Sequence, residues 1–250
     1  MNARPLPPGY ERLRVGAAHA VAAPVLLPVL RSALATGTLY DFAKFTPGHT
    51  RLSGRQPAYA VPLAGGGRMV VRHNRHGGAI ARVTQDLFLL PTRAPHELEI
   101  STRLAAGGIP TPELLGYVVY RAAGLLGRSD VATRQVSPGR DLAAILDGGP
   151  PADRQAALDA TATLVAALSR VRARHHDLNA KNVLIAGDPA APTAYVLDVD
   201  RITFGGEPAA VLERNLERLA RSLRKWRQRF GAAVTDQEIA ALGVAARERR

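Results

Sequence analysis

The sequence predicts an α+β fold of two lobes, a small antiparallel-sheet lobe followed by a mainly helical lobe. The first half of the 250-residue chain reads as short strands and turns with one helix. The second half reads as helices around a β-hairpin. Between them, Ser137-Pro138-Gly139 interrupts both patterns. We therefore predict a β-rich lobe over 1–136 and a helical lobe over 137–250, within a single domain overall.

A hairpin is the clearest element of the first lobe. Its predicted arms are Tyr59 to Leu63 and Met69 to Arg72, joined by three glycines, which accept the positive φ angles of a tight turn. A helix is predicted over Pro95 to Ala105, with Leu98, Ile100 and Leu104 inward and Gly107-Gly108 as its stop. Further strands are predicted over Leu115 to Arg121 and Val131 to Val136.

The second lobe is expected to be built on two long helices. Asp153 to Arg172 has helical periodicity and should cross the core. A second, amphipathic helix lies further on, with an apolar stripe of Leu212, Leu216, Leu219, Leu223, Trp226 and Phe230. Its other faces carry basic residues, namely Arg214, Arg218, Arg221, Arg224 and Lys225.

Composition excludes several classes of function. The chain has no cysteine, so disulfides, thiolate metal sites and cysteine catalysis are excluded. Its longest apolar run, Ala20 to Leu30, contains two prolines and is too short to span a bilayer, which predicts a cytoplasmic protein. A net charge of +12 favours an anionic partner. Nucleic acid is not expected, because stacking aromatics are few and no nucleic-acid-reading motif is present.

The candidate chemistry lies in one stretch of the second lobe. His175-His176-Asp177 and Asn182 precede the apolar Val183-Leu184-Ile185, and a second apolar strand is predicted to run to Asp198 and Asp200. Phosphoryl transfer needs a carboxylate to orient and deprotonate the attacking hydroxyl, and a carboxylate with an amide oxygen to hold Mg²⁺. Asp177 fits the carboxylate that deprotonates the hydroxyl, and Asn182, five residues on, fits the amide that holds Mg²⁺. Asp198 fits the carboxylate that holds Mg²⁺. His175 is expected to hydrogen-bond the loop backbone.

These residues resemble those of the protein-kinase-like fold and, in detail, the 3-deoxy-D-manno-octulosonic acid (Kdo) kinases of lipopolysaccharide biosynthesis. Four stretches carry the resemblance, over roughly residues 35 to 230: Val70 to Gly78, Thr92 to Leu98, Asp177 to Leu184, and Asn215 to Lys225.

The resemblance implies an ATP-dependent sugar kinase with Asp177 as the base and Asn182 and Asp198 as Mg²⁺ ligands. It further implies that Arg72 binds ATP phosphates, that Glu97 positions Arg72, and that the backbone near Gln135 and Val136 receives the adenine. The implied acceptor is a hydroxyl of Kdo on a lipid A precursor.

Two departures from protein kinases bear on this interpretation. The segment Leu52 to Tyr59 has a single glycine where protein kinases have a glycine-rich phosphate loop. The Asp-Phe-Gly motif is replaced by Asp198-Val199-Asp200, similar to the Asp-Phe-Asp of Kdo kinases, so that Asp200 either binds a second Mg²⁺ or pairs with Arg201.

The segment after the predicted metal site narrows the class of acceptor. About ten residues, Ile202 to Val211, are predicted before the next helix, too few for the activation segment that docks peptides. A small or lipid-linked acceptor is favoured. The basic helix either packs with a solvated charged side or meets anionic lipid at the cytoplasmic face of the inner membrane.

Two alternatives stay open. One is a kinase of another small molecule, such as an aminoglycoside or a different core sugar, which would share the catalytic loop. The other is a catalytically silent kinase-like binding protein, favoured by the weak glycine loop and by Arg72 in place of lysine, and opposed by the intact Asp177, Asn182 and Asp198.

Overall fold

The chain forms two compact units in a computed structural model that describes residues 5–52, 57–74, 86–122 and 124–250. The first unit comprises Met1–Thr102 and Glu113–Gln135, and the second Arg103–Pro112 and Val136–Arg250. The chain therefore passes between the units three times. The division of function between lobes at 136/137 stays a prediction.

The first unit is built on an antiparallel sheet of eight strands. The strands are β1 Glu11–Val15, β2 Ala18–Ala22, β3 Thr50–Leu52, β4 Ala58–Pro62, β5 Arg68–His73, β6 Phe88–Leu89, β7 Leu114–Arg121 and β8 Leu126–Arg134. Their spatial order is β1-β2-β7-β8-β5-β4-β3, and β6 pairs with β8. The predicted hairpin is β4 and β5, whose register pairs Tyr59 with Val71 and Ala58 with Arg72.

Helices pack on the sheet of the first unit through two apolar clusters. Helices α1 Leu27–Thr36 and α2 Leu39–Phe45 share one cluster with the sheet, centred on the fully buried Leu30, Leu39 and Met69. Helix α3, Ala94–Ala106, joins the other cluster through Leu98. The prediction of one helix in this half was wrong, because the apolar run forms helix α1 in spite of its prolines. Pro24 lies in a 3₁₀ turn just before the helix, and Pro28 lies in its first turn, where a missing N–H costs nothing.

The second unit holds most of the helices. They are α4 Leu142–Leu146, α5 Pro151–Arg170, α6 Pro208–Phe230 and α7 Asp236–Glu248. The strands are β9 Gly139–Asp141, β10 Ala173–His175, β11 Val183–Ala186, β12 Thr193–Val196 and β13 Ile202–Phe204. Strands β12, β11 and β9 form one antiparallel sheet and β10 pairs with β13. Helix α5 is the central helix, since ten of its side chains are buried.

Several predicted boundaries in the chain need correction. Strand β8 covers Leu126–Arg134, not Val131 to Val136, because its partner β7 extends the pairing to Gly127. The strand predicted to reach Asp200 ends at Val196. Helix α6 begins at Pro208, so that six residues, 202–207, separate it from Asp200 and Arg201, fewer than predicted.

The amphipathic character of helix α6 holds over most of its length. Leu212, Leu216, Leu219 and Leu223 are buried as predicted. Phe230, at the end of the stripe, is 56% exposed, and its ring stacks on Trp226 at a centroid distance of 4.4 Å. Within the described ranges no helix combines the length and the apolar character that a membrane span requires.

Candidate active site

One face of helix α6 fixes the stretch that contains Asp177. Asn215, Arg218 and Ser222 are spaced by three and four residues and therefore lie on the same side of the helix. The Asn215 Oδ1 accepts from the His175 N–H at 3.0 Å, and its Nδ2 donates to the Ala173 carbonyl at 3.0 Å. The Ser222 hydroxyl accepts from the Ala180 N–H at 3.2 Å. The segment from β10 to β11 is thus attached to this helix at several points.

His175 is buried and neutral. Burial lowers its pKa, an effect that outweighs the hydrogen bond to Leu197 and the nearby carboxylates. Its Nδ1 accepts from the Asp177 N–H at 3.1 Å and its Nε2 lies 2.9 Å from the Leu197 carbonyl. A single tautomer, with the proton on Nε2, makes both bonds. The predicted structural role of His175 in the loop backbone is confirmed.

Asp177 projects from this loop with its carboxylate a third exposed. Its Oδ1 accepts from Arg218 Nη2 in an ion pair. Partial burial alone would raise the pKa of Asp177, but the hydrogen bond and the positive charge of Arg218 outweigh it and hold the pKa below its ordinary value. At neutral pH the carboxylate is ionised, which is the state that a proton acceptor requires.

A tight turn places Asn182 beside Asp177. The Asn179 Oδ1 accepts from the N–H groups of Lys181 and Asn182 at 2.9 and 3.2 Å, and its Nδ2 donates to the Asp177 carbonyl at 3.0 Å. The Asn182 Nδ2 donates to the same carbonyl at 2.9 Å. Because this bond uses the amide nitrogen, the atom that Asn182 offers to a cation is Oδ1.

Asp198 is held close to Asn182 by the backbone. The Leu197 N–H donates to the Asn182 carbonyl at 2.9 Å, at the end of the pairing between β11 and β12. Asp198 itself has φ 57° and ψ 46°, a left-handed conformation, and its side chain is exposed. A short 3₁₀ turn, Val199–Arg201, comes next and contains Asp200. The chain therefore turns sharply at Asp198, which the predicted strand did not anticipate.

Asn182 and Asp198 fit the protein's share of a magnesium site. In the part of the chain that the structure describes, no three or more His, Asp or Glu side chains converge as metal ligands. A kinase-type site does not need such a cluster, because Mg²⁺ keeps several waters and takes further ligands from phosphates. One amide oxygen and one carboxylate would suffice as the protein's ligands, and metal binding by Asp200 stays a prediction.

In the first unit, Arg72 and Glu97 form an ion pair between strand β5 and helix α3. Glu97 is 5% exposed and Arg72 36% exposed, so the guanidinium keeps access to solvent. Arg72 Nη1 also donates to the Asn74 Oδ1 at 3.0 Å, and Asn74 donates to the buried Ser129 hydroxyl at 3.2 Å. The predicted partners are thus in contact, and the role of Arg72 toward phosphate stays a prediction.

Gln135 and Val136, the predicted adenine contacts, are the last residue of the first unit and the first residue of the second unit's long segment. The Gln135 N–H donates to the Arg68 carbonyl at 2.8 Å and so belongs to the strand pairing of the first unit. The Gln135 Oε1 is buried and has no hydrogen-bond partner among the described residues. The single-glycine segment and the end of the Val70 to Gly78 stretch lie outside the described residues at 53–56 and 75–78.

Arg218 and Asn215 are the site residues whose contacts the sequence did not reveal. The sequence placed Arg218 among the basic residues of helix α6 without a partner. A signal for Asn215 was present, since it is a polar residue one turn from Leu212 and Leu219 on a buried side, where it is fully buried. A buried amide in an apolar stripe indicates a hydrogen-bonding task.

Comparison with known families agrees with this geometry. The sequence profile of the lipopolysaccharide kinase (Kdo/WaaP) family matches residues 52–244. A solved structure of WaaP in complex with acyl carrier protein superposes with a TM-score of 0.54 and 15% identity, covering 90% of this chain and 87% of the other. At that identity the likeness shows the fold alone, an α+β kinase-like fold.

Relatives at higher identity are named 3-deoxy-D-manno-octulosonic acid kinase. The protein from Stenotrophomonas maltophilia strain R551-3 is 33% identical over 165 residues, 64% of each chain. The protein from Xanthomonas oryzae pv. oryzae strain PXO99A is 33% identical over 180 residues, 70% of each chain. The alignments thus leave about a third of each relative unmatched. With the family profile spanning most of the chain, this protein belongs to the lipopolysaccharide kinase (Kdo/WaaP) family, a family of sugar kinases.

Proposed function

We propose that this protein transfers the γ-phosphoryl group of ATP to a hydroxyl of Kdo in a Kdo-lipid A precursor. The observation that carries the proposal is the loop from His175 to Asn182, in which an ionised carboxylate, an amide oxygen and the backbone link to Asp198 come from one stretch of chain. The names of relatives at about 33% identity support Kdo as the acceptor.

Asp177 is proposed as the base. The acceptor hydroxyl attacks the γ-phosphorus, the bond from that phosphorus to the bridging oxygen breaks, ADP leaves, and the hydroxyl proton passes to the Asp177 carboxylate. Arg218 keeps that carboxylate oriented and ionised. The lowered pKa makes Asp177 a weak base, which suits a transition state in which the proton moves late.

The remaining roles concern the nucleotide. Asn182 and Asp198 are proposed to hold Mg²⁺, which when bound neutralises charge on the phosphates, and Asp200 is proposed as an auxiliary ligand. Arg72, held by Glu97, is proposed to donate hydrogen bonds from its planar guanidinium group to phosphate oxygens of ATP. The backbone near Gln135 and Val136 is proposed to receive the adenine.

A transfer assay with a base variant tests the proposal. The full-length protein is incubated with Mg²⁺, labelled ATP and a Kdo-bearing lipid A precursor, beside Asp177→Ala and the matched control Asp188→Ala. Asp188 is an exposed residue in the turn between β11 and β12. We expect Asp177→Ala to lower kcat by about 10²- to 10⁴-fold and the control to match the wild type.

Each alternative function predicts a different result in this assay. Transfer to another core sugar or to an aminoglycoside, but not to Kdo, would replace the acceptor assignment. If none of these acceptors is labelled although ATP binding is measurable, the result would favour a catalytically silent binding protein. An Asp177→Ala variant as active as the wild type would show that another group is the base.

A further inference from the structure

A basic cavity lies beside Asp177 within the second unit. Its volume is about 220 Å³. Strand β10 and the loop after it contribute Arg174 and His176 to its wall, and helix α6 contributes Arg214, Glu217, Arg218 and Arg221. Four arginines therefore line this cavity, and Glu217 is the acidic residue among its lining residues.

The charges in this wall are only partly balanced by the protein, through the pairing of Arg218 with Asp177 and through Glu217. Burial and the charge of Arg174 lower the pKa of His176, so the imidazole stays neutral near pH 7 and the excess positive charge comes from the arginines alone. Like charges held together in this way repel one another and cost stability. An anion in the cavity would remove that cost.

Arg218 connects the cavity to Asp177. One of its terminal nitrogens pairs with Asp177, and its side chain, which lines the cavity, is 39% exposed. Arginine suits an anionic ligand because its planar guanidinium matches the geometry of carboxylate and phosphate oxygens.

We propose that the cavity binds an oxyanion group of the acceptor, a carboxylate or a phosphate, and so directs the neighbouring hydroxyl to Asp177. The proposal rests on the proposed function. Arg218 contacts both the cavity and Asp177, so one guanidinium links the bound anion to the base. Glu217 offers acceptor oxygens for hydroxyl groups of the same sugar. The substrate class that fits is an acidic sugar or a phosphorylated one, and a neutral sugar lacks the group that the cavity selects.

Binding measurements on the full-length protein test the cavity without requiring catalysis. Calorimetric titrations use free Kdo, the methyl ester of Kdo and inorganic phosphate as probes. The variants are Arg214→Gln and Arg221→Gln, and the matched control is Arg229→Gln, an exposed arginine of helix α6 outside the cavity. Thermal unfolding of each variant verifies that it is folded.

We expect Arg214→Gln and Arg221→Gln each to weaken anion binding at least tenfold and the control to leave it unchanged. Binding of Kdo but not of its ester would identify the sugar carboxylate as the anion. Binding of inorganic phosphate, weakened by the same variants, with no discrimination between Kdo and its ester, would identify a phosphate of the acceptor. Anion binding that is absent, or unchanged in both variants, would overturn the proposal.

Transfer kinetics separate this proposal from the proposed function. In the assay with the Kdo-bearing precursor, the two variants should raise the KM for the acceptor at least tenfold and leave the KM for ATP unchanged. An unchanged acceptor KM in an active enzyme would overturn the cavity assignment and leave the kinase proposal intact. Variant-sensitive anion binding in a protein that phosphorylates no Kdo acceptor would overturn the kinase proposal and leave the cavity intact.

Discussion

Asp198 combines an unfavourable backbone with a proposed metal ligand. A left-handed conformation costs an L-residue roughly 1–2 kcal/mol, less for aspartate and asparagine than for other residues. Asp198 adopts it at φ 57° and ψ 46°, between strand β12 and the short turn that holds Asp200. Glycine would accept this geometry without a steric cost. The residue type at this position is therefore better explained by its carboxylate than by stability.

Replacing Asp198 should separate stability from activity. Asp198→Gly is expected to raise the free energy of unfolding by about 0.5 kcal/mol, because relief of the backbone conformation exceeds the greater entropy of glycine in the unfolded chain. Asp198→Asn is the matched control, since asparagine also tolerates this conformation. Its stability should equal that of the wild type, and both variants should lose phosphoryl transfer. Urea unfolding and the transfer assay measure the two quantities, and a destabilised glycine variant would contradict the strain assignment.

His73 is the centre of a partly buried charged cluster in the first unit. Its Nδ1 lies 2.6 Å from Asp130, which is fully buried, and its Nε2 lies 3.1 Å from Asp86. Asp130 also accepts from the Tyr120 hydroxyl at 2.8 Å, and Arg128 pairs with Asp86 at 2.8 Å. Burial lowers the pKa of His73, but the hydrogen bonds and charges of the two aspartates outweigh it and raise the pKa above its ordinary value.

This raised pKa predicts a stability that falls as pH rises. An unfolded histidine has a pKa of about 6.5, so the contribution of His73 is complete below that pH and is lost as the pH rises through the higher pKa of the folded state. The difference in melting temperature between the wild type and His73→Gln should therefore be larger at pH 6 than at pH 9. His96→Gln, at an exposed position of helix α3, is the control and should show no such trend. A difference that grows with pH would show that His73 is neutral when folded.

At the scale of elements, helix α6 acts as a support for the loop that contains Asp177. Asn215 satisfies the His175 N–H and the Ala173 carbonyl, and it is fully buried. Ser222 and Arg218 continue the same face. One turn further on, Lys181 lies 5.2 Å from the centre of the Trp226 ring. One helix thus contacts the segment from residue 173 to residue 181 at several points.

Asn215→Ala should weaken both the fold and the site. Two backbone groups would lose their partner in a buried setting, and we expect a loss of about 2 to 3 kcal/mol in the free energy of unfolding. Since Asp177 is two residues from His175, kcat should fall while the KM for ATP stays near its wild-type value. Urea unfolding and steady-state kinetics provide the two readouts, with Arg229→Ala as the surface control. A variant as stable as the wild type would mean that water replaces the amide.

The sequence predicted elements well where apolar residues recur regularly over a long segment. It predicted them poorly where contacts with distant parts of the chain determine the structure. Helices α3, α5 and α6 and the hairpin of β4 and β5 were found because their apolar spacing is regular. Helix α1 was missed because prolines interrupt the apolar run, and helix α2 because its seven residues are too few to show a clear helical period. Strand β8 was truncated because its polar first half pairs through the backbone with β7, which leaves no pattern in the side chains.

In the candidate site, too, residues close in sequence were predicted and contacts between distant residues were not. The spacing of Asp177 and Asn182 was readable because both lie on one loop. The pairing of Arg72 with Glu97 came from family resemblance and is present in the structure, whereas the contact of Arg218 with Asp177, 41 residues away, was not readable. An ion pair between distant positions leaves no periodic trace in one sequence.

At the scale of the whole molecule, a net charge of +12 bears on where the protein finds its acceptor. Each basic residue near an anionic membrane surface contributes about 1 kcal/mol of attraction, which salt screens. We expect the protein to sediment with vesicles containing phosphatidylglycerol at low ionic strength and to be released at about 0.5 M salt, where screening is nearly complete. Vesicles of phosphatidylcholine alone are the control. Equal binding to both kinds of vesicle would exclude an electrostatic origin.

The three passages of the chain between its units have a consequence for dissecting the protein. The segment Arg103–Pro112 belongs with the second unit, where the Pro110 carbonyl accepts from the Val196 N–H at 2.9 Å and the Thr111 hydroxyl donates to the Val196 carbonyl at 3.0 Å. Ile109, in the same segment, is buried. A fragment that begins at 137 would lack Pro110 and Thr111. It would therefore expose the edge of strand β12 that these two residues cover. Such a half-protein should aggregate when expressed alone, and co-expression with residues 1–136 should rescue it, because the missing ten residues are carried by the other half.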